Sequence, residues 1–155
     1  MCKLCWGLLL VLLLFVAAGA YKFIVQGSVA PSSDERTAIM LSDGERDLVL
    51  TEMRDFLLSV QQITRAAVKD DMQAVAKAAH RVGRAAQGEV PLSLVAKLPV
   101  GFKKLGFETH GKFDQLALDA EQLGDRDHIL EQMAALMDNC VGCHAGFKLV
   151  VEQAE

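Results

Sequence analysis

The sequence is poor in the residues that favour strands and rigid turns. Aromatic residues make up 6% of its 155 residues, and it contains 3 Pro and 1 Trp. Ala, Leu, Val and Met dominate instead, which favours helices over strands. Basic residues are also few: apart from Lys3 and Lys22, the chain carries 14 basic and 20 acidic residues, a net charge of −6. This balance argues against a nucleic-acid-binding protein and indicates a mildly acidic surface.

Charged residues are almost absent from the first 25 residues, where an apolar run over residues 4–20 resumes at 23–25. About 20 apolar residues cross a bilayer as a helix. Residues 1–25 therefore predict a membrane anchor that contacts lipid through residues 4–25. Ala18-Gly19-Ala20 resembles a cleavage site, so a removable signal peptide is the alternative. Either interpretation exports the rest of the chain across a bacterial inner membrane into the periplasm.

Cysteine is rare, and the four that are present fall into two pairs. Cys2 and Cys5 lie at the cytoplasmic end of the anchor, where we interpret them as small apolar residues or a lipidation site. A membrane separates them from Cys140 and Cys143. The exported part therefore has only the two cysteines of the stretch NCVGCHA, residues 139–145.

Four helical segments are expected after a linker at residues 26–42, which is rich in Gly, Pro and Ser. The first is predicted from Asp43 to Val68 with Ser42 or Asp43 as N-cap, and the second from Asp70-Asp71 to Gly88. The third is predicted from about Phe102 to a stop at Gly124, and the fourth follows a cap at Asp125 or Asp127. The expected inward stripes are Leu50, Met53, Leu57, Val60 and Thr64; Met72, Val75, Ala79, Val82 and Ala86; Phe102, Gly106, Thr109, Phe113, Leu116, Ala120 and Leu123; and Ile129, Met133, Leu136, Cys140, Phe147 and Val151. No window alternates like a strand. The predicted fold is all-α: an antiparallel four-helix bundle over residues 43–155 with an N-terminal transmembrane helix.

The CVGCH stretch has three chemical interpretations. A redox pair of the thioredoxin type needs its first cysteine at a helix N-terminus, whereas Cys140 comes late in a helix. Zinc normally takes four ligands, and His80, His110 and His128 lie singly on other segments. Covalent haem attachment uses all three residues at once, since Cys140 and Cys143 would form thioethers and His144 would be an axial ligand of the iron.

With this motif near the end of its last helix, the chain resembles the cytochrome c-prime superfamily, the class II c-type cytochromes, as a membrane-anchored member. The resemblance covers roughly residues 43–151. CVGCHAGFK is similar to the family's Cys-x-x-Cys-His-x-x-aromatic-basic run. It implies one covalent haem c on Cys140 and Cys143, an iron bound by His144, and Lys148 beside the proximal face.

The resemblance also implies that the first helix supplies the residue on the other face of the iron. Spacing from Arg46 favours Leu50, which would leave an open site for nitric oxide or carbon monoxide. Chemistry favours Met53, whose thioether is a good ligand for haem iron, although a core methionine is the alternative. Arg46 and Arg54 are either surface charges or partners of the haem propionates.

Two functions follow as expectations. The first is a membrane-tethered electron carrier, not an enzyme, that serves a membrane redox complex or a periplasmic donor or acceptor, and a tether raises its effective concentration near such partners. The second is a five-coordinate haem protein that binds gas. Pairing of two bundles into a homodimer stays open.

Overall fold

A computed structural model describes residues 3–86, 88 and 90–152, so Cys2 lies outside the described residues, as do residues 153–155 of the predicted domain. The fold is mostly helical with a small sheet. Its elements are helix α1 (Lys3–Ala20), a π-helical segment (Tyr21–Gln26), strands β1 (Val29–Pro31) and β2 (Thr37–Leu41), helices α2 (Asp43–Val68) and α3 (Met72–His80), a 3₁₀ turn (Arg84–Ala86), helices α4 (Leu92–Lys97), α5 (Val100–Gln122) and α6 (Arg126–Gly146), and strand β3 (Phe147–Val151).

The N-terminal helix is exposed along its length. Together with the π-helical segment it gives 24 residues, Lys3–Gln26, that are long and apolar enough to cross a membrane, a criterion that a signal sequence also meets. At its end, Gly27 adopts a positive φ of 70° and lies against the backbone of Lys97 and Leu98, where a Cβ atom would collide. Glycine is therefore required at the junction between this helix and the rest of the protein.

Helix α2 has the predicted bounds, and its start has a local cause. Glu45 N–H donates to Ser42 Oγ (3.4 Å) and Ser42 N–H donates to Glu45 Oε2 (3.0 Å), a complete capping box. Lys97 Nζ binds the same Glu45 oxygen at 2.8 Å and reaches Glu152 Oε2 at 3.1 Å. These contacts connect the start of α2 to α4 and to the end of β3.

The helical core lies between α2, α3, α5 and α6. Helix α2 packs against α3 and α6, and α5 packs against the same two helices. Phe113, Leu116, Ile129 and Leu136 are completely buried there, as the third and fourth stripes predict. Helices α5 and α6 therefore each contribute one apolar stripe to the core.

The second predicted helical segment and the irregular stretch that follows it need correction. The second ends at His80, because Gly83 admits the side chain of Asp114, whose Oδ2 accepts a hydrogen bond from Arg84 N–H at 3.1 Å. The chain turns there instead of continuing to Gly88. The irregular stretch that was expected before the third helix contains the short helix α4.

The inward stripe predicted for α2 is wrong at Leu57 and Thr64, whereas Met53 and Val60 pack against the apolar clusters. Leu57 is 69% exposed and Thr64 is exposed, while Leu50, Met53 and Val60 are half-buried. The buried positions of this helix are Val49, Ser59, Ile63, Ala66 and Ala67. The face that was expected to point inward therefore lies beside the core.

A three-stranded sheet replaces much of the predicted linker, so the fold is not all-α. Strand β2 pairs with β1 in antiparallel and with β3 in parallel register, with Thr37 opposite Phe147 and Leu41 opposite Val151. Phe147 and Val151 thus belong to a strand and not to the fourth helical stripe. The sheet contacts the start of α2 and helix α4 around a second apolar cluster that contains Ile39 and Leu41.

Candidate functional site

The CVGCH stretch occupies the last two turns of α6. Asp125 caps the start of this helix by accepting hydrogen bonds from Asp127 N–H (2.9 Å) and His128 N–H (3.2 Å). The helix ends at Gly146, after which the backbone becomes extended. Cys140 therefore lies on the inner side of the helix against the core, and His144 lies exposed at its end. The expected position of the motif late in a helix is confirmed.

The two thiols are half-buried. Burial raises the pKa of Cys140, and burial together with the neighbouring Cys140 raises the pKa of Cys143. Both cysteines are free thiols. Redox-active pairs instead have a lowered thiol pKa at the N-terminus of a helix, so these two thiols differ from such a pair.

A cavity of about 180 Å³ lies beside the end of α6. Helix α2 contributes Arg46, Leu50 and Met53, which follow one another at steps of four and three residues and so share one face. Its complete lining is Arg36, Arg46, Leu50, Met53, Phe102, Cys143, His144, Phe147, Lys148 and Leu149. Both candidates for the distal residue thus line the same cavity as Cys143 and His144.

Met53 has a second set of neighbours. It is half-buried and packs against the apolar cluster of Ile39, Leu41 and Val49. Its alternative interpretation as a core methionine is therefore compatible with its contacts. Met53 lines the cavity and also packs in the cluster, because the cavity borders that cluster.

Three cationic side chains line this cavity: Arg36, Arg46 and Lys148. Lys148 Nζ lies 3.4 Å from Asp34 Oδ1, and Arg36 Nη2 lies 2.7 Å from Asp34 Oδ2. The hydrogen bond from Arg36 and a second one from Ser32 hold the pKa of the Asp34 carboxyl well below its usual range. Arg46 Nη1 lies 3.9 Å from Asp47 Oδ1, so two carboxylates outside the lining, Asp34 and Asp47, pair with the three cations of the cavity.

Arg54 does not line the cavity. It is exposed, and its Nη2 donates to Thr51 Oγ1 at 3.1 Å. Of the eight residues that the sequence nominates, six line the cavity; Cys140 packs against the helical core instead, and Arg54 is exposed on α2.

Arg36 and the aromatic pair Phe102–Phe147 were not anticipated. Arg36 Nη1 donates to the His144 carbonyl at 3.4 Å, so the turn between β1 and β2 reaches the end of α6. The rings of Phe102 and Phe147 meet edge to face with centroids 5.6 Å apart. Phe147 occupies the aromatic position of the CVGCHAGFK run and is thus a local signal for this part of the site, whereas TAIML, residues 37–41, which directly follows Arg36, was interpreted as linker.

No protein-family model, no curated protein and no solved structure matches this chain.

The residues around the cavity can be compared with what haem c requires. The donor types fit: two thiols and an exposed imidazole occur at positions 140, 143 and 144 near the end of one helix, a thioether and Arg46 lie on α2, and Arg36 and Lys148 come from the sheet region, although Cys140 lies outside the lining. The cavity volume is below the range of about 300–1,000 Å³ that encloses a small-molecule ligand. A porphyrin held by these residues would therefore be enclosed only in part.

Proposed function

We propose that the protein is a membrane-anchored c-type haem protein that carries single electrons. The observation that supports this most is the shared cavity, in which Cys143 and His144 from the end of α6 meet Leu50 and Met53 from α2. When bound, haem supplies an iron that exchanges one electron at a time. The role is that of a carrier and not of an enzyme.

Each residue has a distinct task in this proposal. Cys140 and Cys143 hold the group covalently, and His144 binds the metal, which its exposure at the end of α6 permits. Met53 provides a thioether on the facing side. Arg46 and Lys148 would neutralise carboxylate substituents of the group, and Arg36 orients the end of α6 through its hydrogen bond to the His144 carbonyl.

The proposal also assigns an architecture and a compartment. We take α2, α3, α5 and α6 as the four helices of an antiparallel bundle of the cytochrome c-prime type, which is supported by the contacts of α2 and α5 with both α3 and α6. The apolar segment Lys3–Gln26 serves as the anchor in the bacterial inner membrane. The haem domain then lies in the periplasm, next to a membrane redox complex or a periplasmic donor or acceptor.

Gas binding is the second candidate function. Leu50 lines the same cavity as Met53 and cannot bind a metal. If Leu50 and not Met53 lies opposite His144, the sixth position is open to nitric oxide or carbon monoxide.

Retention of haem in acidified acetone tests the attachment. Protein produced together with a cytochrome c maturation system should keep its haem, and the double variant Cys140→Ser with Cys143→Ser should release it. His144→Ala should lower the yield of holoprotein severely. The matched control is His80→Ala, because His80 is exposed on α3 and pairs with Glu121 at 3.2 Å. Complete extraction of haem from the wild type would refute covalent attachment.

A further inference from the structure

A second, larger cavity lies on the other side of α2. Its volume is about 540 Å³, and its walls come from α2, α4, α5 and the 3₁₀ turn. Apolar side chains dominate the lining, among them Phe56, Leu94, Val95 and Phe107. The volume falls in the range of about 300–1,000 Å³ that is usual for small-molecule sites, and an apolar lining with few polar groups is typical of them.

A histidine–carboxylate pair belongs to this lining, which also contains the polar side chains of Thr51, Asp55, Arg81, Arg84 and Lys103. His110 is 3% exposed, its Nδ1 lies 2.8 Å from the Val82 carbonyl oxygen, and its Nε2 lies 3.1 Å from Glu52 Oε1. A carbonyl can only accept, so Nδ1 carries a proton and donates it. Burial opposes a charge on this imidazole, but the hydrogen bonds to Glu52 and Val82 raise the pKa of His110 above its usual value.

Glu52 contacts His110 and also lines the cavity. Its side chain is 44% exposed, and His110 contacts its Oε1. The second carboxylate oxygen, Oε2, is thus left to accept a hydrogen bond from a group in the cavity. The cavity is lined by Glu52 and Asp55, one turn apart on α2, and by Arg81, Arg84 and Lys103 from other parts of the chain. At the α2 wall, a neutral donor such as a hydroxyl therefore suits Glu52 better than a second carboxylate does.

The cavity also adjoins the end of the anchor. Lys103, which lines it, donates from Nζ to the Ile24 carbonyl at 2.8 Å. Helix α4, which supplies Leu94 and Val95 to the wall, packs against the π-helical segment Tyr21–Gln26. The rim carries the exposed apolar side chains of Leu48, Val90 and Phe107. A lipophilic molecule that leaves the bilayer at the end of the anchor would meet this surface first.

We propose that this cavity binds a neutral lipophilic molecule with a phenolic or quinol hydroxyl group, which donates a hydrogen bond to Glu52. The apolar walls take the hydrocarbon part, and the His110–Glu52 pair fixes the orientation of the headgroup. This assignment does not rest on the haem proposal, since it uses no residue of the CVGCH stretch.

Photolabelling of the full-length protein in lipid nanodiscs tests the proposal. A decylphenol that carries a diazirine on its alkyl chain should label peptides from α4 and α5, as mapped by mass spectrometry. Decylubiquinol should compete for labelling at least tenfold better than decylbenzene, which lacks the hydroxyl groups, because a hydrogen bond to a charged group contributes about tenfold or more in affinity. Equal competition by the two compounds would refute the headgroup assignment, and stronger competition by decanoate would assign the cavity to an anionic lipid instead.

Three variants distinguish binding in the cavity from non-specific contact with lipid. An added Cβ at Gly106 meets nothing within 4 Å, and this residue lines the cavity, so Gly106→Leu should fill it without strain and reduce labelling at least tenfold. Gly44→Leu is the matched control, because Gly44 is equally free of neighbours but lies outside the lining, at the start of α2. Glu52→Gln should weaken competition by decylubiquinol about tenfold. Unchanged labelling of Gly106→Leu would show that the probe does not enter the cavity.

Discussion

The helical core and the cavity at the sheet end of the domain differ in how far their side chains are buried. In the core, Phe113, Leu116 and Leu136 are completely buried, and side chains of the protein surround them on every side. At the sheet end, Cys143 and Phe147 are half-buried, and three cations line the cavity between them. The first region provides stability through packing, whereas the second keeps reactive and charged groups accessible. The difference indicates that stability and chemistry can be altered separately in this protein.

The largest expected effect comes from truncating a side chain in the core. Phe113→Ala should lower the free energy of unfolding by about 3–5 kcal/mol, because it removes a buried ring and leaves a cavity. Phe147→Ala, the same change at the half-buried sheet end, should cost about half of this or less. Chemical denaturation followed by circular dichroism measures both. Equal losses would mean that the two regions do not differ in packing.

A substitution at the proposed iron site should change chemistry much more than stability. Met53→Leu keeps most of the side-chain volume and should cost less than about 1.5 kcal/mol. If Met53 is the sixth ligand, the oxidised wild type shows the weak long-wavelength band of methionine-ligated haem, and its reduced form resists carbon monoxide. The variant should lose the band and bind the gas. Leu50→Ala is the companion variant, and it should leave the band in place.

Wild-type protein that already binds carbon monoxide readily would assign the facing position to Leu50. Gas binding would then become the leading function. The same spectra, recorded at equal haem content, therefore decide between the two candidates.

The smallest expected effect concerns the ion pair that connects the start of α2 to α4 and β3. The hydrogen bonds from Lys97 and from Ser42 N–H lower the pKa of Glu45 from 4.5 to about 2. A lowered pKa in the folded state means that this stabilisation is complete above pH 4.5 and is lost as the pH falls towards about 2. Lys97→Met should cost about 1 kcal/mol above pH 4.5, and its effect should shrink in acid.

The control for this prediction is Lys104→Met. Lys104 Nζ lies 3.8 Å from Glu108 Oε1 in an exposed pair on α5, so the substitution should change the free energy of unfolding by less than about 0.5 kcal/mol at any pH. A loss for Lys97→Met that stays constant with pH would show that it arises from the lysine's hydrocarbon chain and not from its charge.

What the sequence predicted correctly depends on neighbours along the chain. The capping box at Ser42 and the cap at Asp125 are local, so the starts of α2 and α6 and the position of the CVGCH stretch followed directly. The inward stripe of α2 was not predicted correctly, because apolar residues occur on two adjacent faces of this helix. Leu57 and Ile63 are equally apolar, but one is 69% exposed and the other completely buried. Only the packing partners distinguish these faces.

The sheet could not be predicted for a related reason. Ala38, Ile39 and Leu41 are all buried, so β2 lacks the alternation that identifies a strand with one solvent face. Its partner β3 comes from the far end of the chain. The lining residues Arg36 and Phe102 reach the cavity only through this long-range pairing and through the packing of α5. The residues of the motif are neighbours in the sequence and can be recognised there, whereas the residues around the motif come from distant parts of the chain.

The junction at Gly27 affects how the protein can meet its partners. The chain that leaves the anchor does not form a free linker: Ser28 N–H donates to the Lys97 carbonyl at 2.7 Å, and β1 and β2 follow directly. If Lys3–Gln26 is the membrane anchor proposed above, the domain has little freedom to swing away from the bilayer, and its encounters are limited to diffusion in the plane of the membrane and rotation about the membrane normal. A partner of the proposed electron carrier would then have to present its own redox centre at a matching height above the lipid, so that this height would be a criterion of recognition alongside surface charge.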